Sequence, residues 1–457
     1  MQLIGQLVMF FVLADAAVHG LYLPFKILSV PSGKSLFNSR LLATVPYGFQ
    51  NLQDNVYAAQ LYVAGQNFTV QLDTGSSDLW IDPSIAGVFS LPDGTVDTGV
   101  QSSICYIDTT CAQGPITTSN VTLGNFMVPE QAYINAVGSN ATYAGMNGLL
   151  GLGSTLASAS SIMLDLGTDQ NVNGHTLMYN ILETYPSIGN FMSFLLSRTE
   201  TGTSEGGTFT IGDIASGMES ISQTPQLPVL LDTRWAIAIN GMIINGVAMI
   251  APSSTGDSNL APGQLMANFD TGTARAAAPP LFVDAMYKDM PGAEFDGVSK
   301  YTLPCNNMVT VSIAIGNLTF PIHPIDVVVL ADQGENSRTD GSDFICVGAF
   351  SYLEQGSSDI DVILGDTFLR NVYTVYNFGN WTRELDEPPS IQILSTTNES
   401  EASAEYASLN AARLAAKQGL QAQSHTSGAL PHTAFDACSK TRTLLFATAI
   451  CILTYLL

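Results

Sequence analysis

The chain is poor in charge, and most of what it carries is of one sign. Only 12% of its 457 residues are charged, and 15 Lys and Arg stand against 39 Asp and Glu, a formal net charge of -24. So few cations cannot neutralise a phosphate backbone, which excludes nucleic acid as a partner and disfavours anionic membrane faces. The same acidity suits a protein that works in acid, and equally suits a merely soluble secreted one. The five histidines are scattered, and none is spaced with cysteine as metal ligands are, so neither a metal nor another cofactor is expected. Helical patterning is scarce as well, confined in the body to 176–183 and 281–290.

The ends read as targeting segments. The apolar run at 3–13 is too short to span a bilayer comfortably. It is followed by Ala14-Asp15-Ala16, the small-residue pattern of a secretory cleavage site, although no Lys or Arg precedes it. The last stretch, 444–457, is almost wholly apolar. Upstream of it lie Lys440 and Arg442, and before them the small triplet Ser427-Gly428-Ala429. Triplet, spacer and apolar tail form the pattern of a glycosylphosphatidylinositol (GPI) attachment signal, with Ser427 as the attachment residue; a short tail anchor is the alternative. Six N-glycosylation sequons begin at Asn67, Asn120, Asn140, Asn317, Asn380 and Asn398. The sequence therefore divides into a signal peptide (1–16), a propeptide or ordered strand region (17–50), a first lobe (51–220), a second lobe (221–385), a stalk (386–427) and an attachment signal (428–457). An Ala-rich helix is expected within the stalk, at 402–420.

Of six cysteines, Cys438 and Cys451 fall in the segment that anchoring would remove. Cys105, Cys111, Cys305 and Cys346 remain, an even number in an oxidising compartment. They allow three pairings, of which nearest neighbours, Cys105–Cys111 and Cys305–Cys346, are the expectation.

From Val56 onward the chain alternates. Tyr57, Leu61, Val63, Phe68, Val70 and Leu72 sit at near-strand spacing, and Gly, Asn and Ser clusters punctuate the rest of the chain. Many short strands with turn signals indicate a mainly β protein. One tripeptide occurs twice: Asp73-Thr74-Gly75, within Val70-Gln71-Leu72-Asp73-Thr74-Gly75-Ser76-Ser77-Asp78-Leu79-Trp80, and Asp270-Thr271-Gly272, within Phe269-Asp270-Thr271-Gly272-Thr273. Each is followed later by an apolar pair and glycine: Leu149-Leu150-Gly151, then Ile363-Leu364-Gly365. The same order twice implies two related lobes. A carboxylate at the end of a buried strand is costly unless hydrogen-bonded or paired, so two in duplicated surroundings suggest one site built from both.

These motifs resemble those of the pepsin-like aspartic peptidases over about 56–378. The resemblance implies a bilobal β fold with the cleft between the lobes. It implies hydrolysis of peptide bonds by a water held between Asp73 and Asp270, at acid pH. Thr74 and Thr271 would lock the two loops together. Gly75 and Gly272 would let backbone N–H groups approach, and Ser76 and Thr273 would bond the outer carboxylate oxygens. Cys305 and Cys346 fall where the family often has a disulfide. Trp80 would back the lid, which is usually a glycine-rich hairpin carrying a tyrosine. Here that segment is Cys105-Tyr106-Ile107-Asp108-Thr109-Thr110-Cys111, without the usual glycines, and ungapped counting puts Ile107 rather than Tyr106 at the tyrosine position. The lid residues are therefore Tyr106, Ile107, Asp108 and Thr109. The implied partners are protein or peptide substrates and, through the anchor, a membrane. The implied protein is a monomer at the cell surface, on plasma membrane or cell wall. The alternative is a catalytically silent relative that binds or builds the surface.

Overall fold

The alternation that begins at Val56 becomes a hairpin. Ala58–Val63 pairs antiparallel with Gln66–Asp73. Its two-residue turn, Ala64 and Gly65, has positive φ at both positions (49° and 78°), as the turn type matching strand twist requires. In the computed structural model, residues 21–29, 49–51, 56–87, 94–106, 109–141, 146–167, 171–198, 205–331, 345–353, 359–383 and 385–427 are described. The signal peptide at 1–16, the attachment signal at 428–457 and the lid residues Ile107 and Asp108 lie outside them.

The fold is mainly β and bilobal, and the duplication seen in the sequence is a duplication of topology. In the first half, Gln66–Asp73 runs parallel to Gly148–Gly151, with Asp73 opposite Gly151. Leu79–Ile81 returns antiparallel on the other side of the same glycine strand. In the second half, Leu265–Phe269 runs parallel to Val362–Leu364, and Ala276–Ala278 pairs with its far side at Ile363. Each apolar-apolar-glycine strand is thus held between the two arms of a loop that starts with aspartate. The close fit explains the glycines. A Cβ on Gly151 would lie 2.3 Å from the Ser77 carbonyl carbon, and one on Gly365 would lie 2.0 Å from the Arg275 oxygen. Both are far inside contact distance.

A further seven-stranded sheet joins the halves. Its neighbours run Leu227–Pro228, Ser390–Ser395, Val372–Asn377, Phe191–Leu196, Glu205–Ile211, Leu21–Ser29 and Phe49–Asn51. Strands from before residue 212 and strands from after residue 226 therefore share one sheet, which ties the two halves together. The 17–50 segment contributes two of these strands, Leu21–Ser29 lying antiparallel to Glu205–Ile211. Trp235, fully buried at the junction, donates its Nε1–H to the Leu152 carbonyl at 2.9 Å and packs against Tyr376, Phe378 and Trp381.

Within 386–427, expected as a stalk, the chain is packed on the body from Ser390 to Arg413, and the helix expected at 402–420 is present. Ser390–Ser395 is a strand of the joining sheet, and Glu399–Ser427 is a helix docked on the second lobe. Its buried residues are Ala402, Tyr406, Asn410 and Arg413, one stripe at helical spacing. Tyr406 donates its hydroxyl to the Asn307 carbonyl (2.6 Å), and Asn410 donates its amide to the Cys305 carbonyl (3.0 Å). Arg413 donates to the Ile325 and Val328 carbonyls (3.0 and 2.8 Å). The stripe is polar and aromatic, so it carries little hydropathy signal against the Ala, Ser and Glu around it. That is why composition reads as linker.

A buried carboxylate fixes the lobes where this helix docks. Asp326 accepts from Arg198 (2.8 Å), Arg370 (2.9 Å) and Asn371 (3.0 Å). Burial pushes its carboxyl up, but the Arg198 and then the Arg370 guanidinium outweigh this and hold it well below the usual range. A carboxyl lowered on folding stabilises at every pH above its unfolded value near 4, and that contribution is lost only as pH falls through the lowered value. The cluster therefore stays ionised in moderate acid. Asp326→Ala leaves buried guanidinium without its anion and is expected to cost about 3–5 kcal/mol, read as a lower urea midpoint at pH 5. An unchanged midpoint would overturn this.

Candidate active site

The two Asp-Thr-Gly loops meet tip to tip. Thr74 and Thr271, both fully buried, exchange hydrogen bonds across the junction. The Thr74 N–H donates to the Thr271 hydroxyl (3.1 Å), and the Thr271 N–H donates to the Thr74 hydroxyl (3.0 Å). Each hydroxyl then donates onward into the opposite strand, Thr74 to the Phe269 carbonyl (2.8 Å) and Thr271 to the Leu72 carbonyl (2.9 Å). Four bonds related by pseudo-twofold symmetry hold two segments far apart in sequence. Gln71 adds a further cross-loop bond to the Gly272 carbonyl at 3.2 Å.

Above this knot the carboxylates of Asp73 and Asp270 face one another in matched surroundings. The inner oxygen of Asp73 accepts from the Gly75 N–H (2.7 Å), and that of Asp270 accepts from the Gly272 N–H (2.8 Å). The outer oxygens accept from the Ser76 hydroxyl (2.5 Å) and the Thr273 hydroxyl (2.9 Å). The glycines permit the approach. A Cβ on Gly75 would lie 2.5 Å from Asp270, and one on Gly272 would lie 2.2 Å from Asp73 and 3.1 Å from Asp270.

Two carboxylates this close in a desolvated place cannot both ionise easily. Burial first, and then the Asp270 charge, push the Asp73 carboxyl up to about 7, against the pull of the Ser76 and Gly75 bonds. The pair can therefore hold one proton between them across acid and near-neutral pH. Such a pair can take a proton from water with one oxygen while giving one from another. A third carboxyl lies beneath. Asp366, fully buried directly after Gly365, is pushed well above its ordinary value, first by burial and then by the Asp270, Asp326 and Asp73 charges, against the pull of Arg370. The apolar-apolar-glycine motif marked its position but not its titration, because burial from every side is a tertiary property.

The segment expected to form the lid is a hairpin. Val96–Cys105 pairs with Cys111–Leu123, with Cys105 opposite Cys111 and joined to it. Tyr106 sits beyond the disulfide and accepts the Trp80 Nε1–H on its hydroxyl at 2.7 Å. Burial, then the nearby Asp73 charge, raises its phenol. Of the two candidates for the tyrosine position, Tyr106 is the described one, and Trp80 holds its hydroxyl. Thr109 has φ of 70°, a left-handed position uncommon for a β-branched residue. It donates its N–H to the Tyr106 carbonyl at 2.9 Å. The second disulfide, Cys305–Cys346, lies far from the carboxylates in sequence, under the docked helix.

The sequence model of the family described as eukaryotic aspartyl protease matches residues 56–386. The chain belongs to this family. Relatives include a protein named aspartic protease from Phaffia rhodozyma, 26% identical over 75% of this chain and 80% of that protein. Major aspartyl peptidase 1 of Cryptococcus neoformans is 26% identical over 71% of this chain and 67% of its own length. Human gastricsin is 25% identical over 74% and 82% respectively. The chain is an aspartic-type endopeptidase. The matched residues end at 386, so the docked helix at 399–427 lies beyond what the family model describes.

The disulfide at the base of the lid makes a local cross-link, closing a short loop at the mouth of the site. Removing it with Cys105→Ala and Cys111→Ala together is expected to change kcat or KM several-fold. The thermal midpoint should move by less than about 5 °C, because the bond spans one hairpin and not the core. Kinetics identical to wild type would show that the staple does not govern the lid.

Proposed function

We propose that Asp73 and Asp270 are the catalytic pair of a secreted, surface-anchored acid endopeptidase. The carrying observation is the matched environment of the two carboxylates: backbone N–H on each inner oxygen, hydroxyl on each outer oxygen, and one shared region between them. The ionised member accepts a proton from the attacking water while the protonated member donates to the scissile carbonyl. The tetrahedral adduct collapses as a proton passes to the leaving nitrogen. Which aspartate carries the proton at a given step is a property of the pair. Tyr106 and the lid cover an extended peptide, bound largely by its backbone, with apolar side chains flanking the cleaved bond.

The surface location rests on the two terminal segments and on the sequons. The asparagines at 67, 120, 140, 317, 380 and 398 all stand exposed, which supports N-glycosylation at each. The helix that precedes Ser427 is docked on the second lobe at its start, so an anchor at Ser427 would hold the body at a set distance from the membrane. The protein acts as a monomer on protein or peptide substrates.

Hydrolysis of a denatured protein, followed from pH 2 to 8, tests the activity. Asp73→Asn and Asp270→Asn are each expected to lower kcat/KM by about 10³-fold or more, and a statine-type transition-state mimic is expected to inhibit. The alkaline limb follows from the raised Asp73 carboxyl: the shared proton persists up to about pH 7 and is lost above it, so kcat/KM falls there. A wild-type body that cleaves nothing across this range, or an Asp73→Asn variant as active as wild type, would overturn the proposal.

A further inference from the structure

The lid is held from outside as well as by its own hairpin. Beyond the disulfide, the Tyr106 N–H donates to the Thr110 carbonyl at 2.9 Å, which closes the tip. Cys111, the first residue of the returning strand, has both backbone groups engaged by a neighbouring turn. Its N–H donates to the Asn140 side-chain oxygen at 2.7 Å, and its carbonyl accepts the Ser139 hydroxyl at 3.0 Å. The turn is itself fixed by a buried carboxylate. One oxygen of Asp82 accepts the Gly138 and Ser139 N–H groups (3.0 and 3.1 Å), and the other accepts the Ser84 N–H and hydroxyl (3.0 and 2.5 Å). Asp82 directly follows the strand Leu79–Ile81, and that strand also carries Trp80, which holds the Tyr106 hydroxyl. One strand thus controls the lid at two points: at its tyrosine through Trp80, and at its neck through Asp82, Ser139 and Asn140.

We propose that Asn140 is a positioning residue for the lid. Through its side-chain oxygen it fixes Cys111 and so sets how Tyr106 closes over Asp73. The proposal rests on the peptidase reading and extends it to what controls closure. A non-glycine residue at left-handed φ, Thr109, persists where the surrounding structure over-determines the backbone, and the disulfide and the Asn140 bond supply that constraint. Asn140 also opens a sequon, Asn140-Ala141-Thr142. A glycan there attaches to the amide nitrogen and leaves the oxygen free to accept, so brace and modification are separable by mutation. Loss of one net hydrogen bond shifts an open–closed balance by about five-fold.

Four forms of the full chain separate the roles: wild type, Asn140→Ala, Asn140→Asp and Thr142→Ala. Each is assayed for peptide cleavage, for the dissociation rate of a statine-type mimic and for thermal midpoint. Asn140→Ala is expected to lower kcat/KM by about three- to ten-fold and to speed inhibitor dissociation by a similar factor, with the midpoint unchanged. Asn140→Asp keeps an acceptor without a glycan, and Thr142→Ala keeps the asparagine without a glycan; both should match wild type. Asn140→Ala with wild-type kinetics would overturn the proposal, as would Thr142→Ala reproducing the Asn140→Ala defect, which would assign the effect to the glycan. Should Asn140→Ala fail to fold, Ser139→Ala removes the other half of the brace and carries the same expectation and the same refutation. A wild-type protein without activity fails the peptidase reading instead.

Discussion

Two carboxylates have to be brought together out of water, and most of the structure near them obeys that constraint. An isolated buried carboxylate is costly, and two side by side are more so. The chain meets the cost with donors rather than with a counter-cation. Each aspartate takes a backbone N–H from its own loop and a hydroxyl from the residue after the glycine. The loops cannot drift apart under the residual repulsion because Thr74 and Thr271 are tied to each other and to the opposite strands. Replacing a donor by a cation would settle the charge but would also remove the reason for the pair to keep a proton.

The scarcity of Lys and Arg is consistent with that arrangement. Several of the few arginines are engaged inside the protein, away from the carboxylate pair. Arg198 and Arg370 hold Asp326, Arg413 holds the carbonyls of Ile325 and Val328, and Arg383 donates to the Leu182 carbonyl at 2.9 Å. The contrast between two buried acids is instructive. Asp326 lies between two guanidinium groups, which hold its carboxyl well below the usual range, whereas the carboxyl of Asp366 is pushed well above it, first by burial and then by the Asp270, Asp326 and Asp73 charges, against the pull of Arg370. Burial pushes both upward; two guanidinium groups overcome it at Asp326, and one does not at Asp366.

The features legible in the sequence were those that repeat or alternate. The Asp-Thr-Gly loops, the glycine strands beneath them and the strand alternation from Val56 to Leu72 could be read because a period of two and a duplicated motif are local signals. The helix at Leu177–Thr184 was visible for the same reason, and Thr176 caps it by accepting the Tyr179 N–H. The features that stayed hidden depend on partners distant in the chain. The helix at 402–420 was expected but its docking was not, because Tyr406, Asn410 and Arg413 bury polar side chains, whose merit appears only beside the Cys305, Ile325 and Val328 carbonyls. The tyrosine of the lid was ambiguous by counting alone, since one inserted residue shifts the register. The Trp80 hydrogen bond to Tyr106 supplies the contact that counting lacked.

The lid shows why such a departure from a common pattern can persist. A hairpin whose tip carries glycines closes by bending freely, and its closed form gives up that freedom each time. Here the tip lacks them. A left-handed threonine, a disulfide at the base and an outside hold on Cys111 restrain the hairpin, and on the proposed reading of the lid they limit its open forms before substrate arrives. Pre-organisation lowers the entropic cost of closure but narrows the range of peptides that can enter, because fewer lid positions remain to accommodate them. A stapled lid therefore trades breadth for commitment. The trade is favourable where the peptides presented are few in kind, or where the lid must stay ordered in acid, since neither the disulfide nor an amide oxygen titrates there.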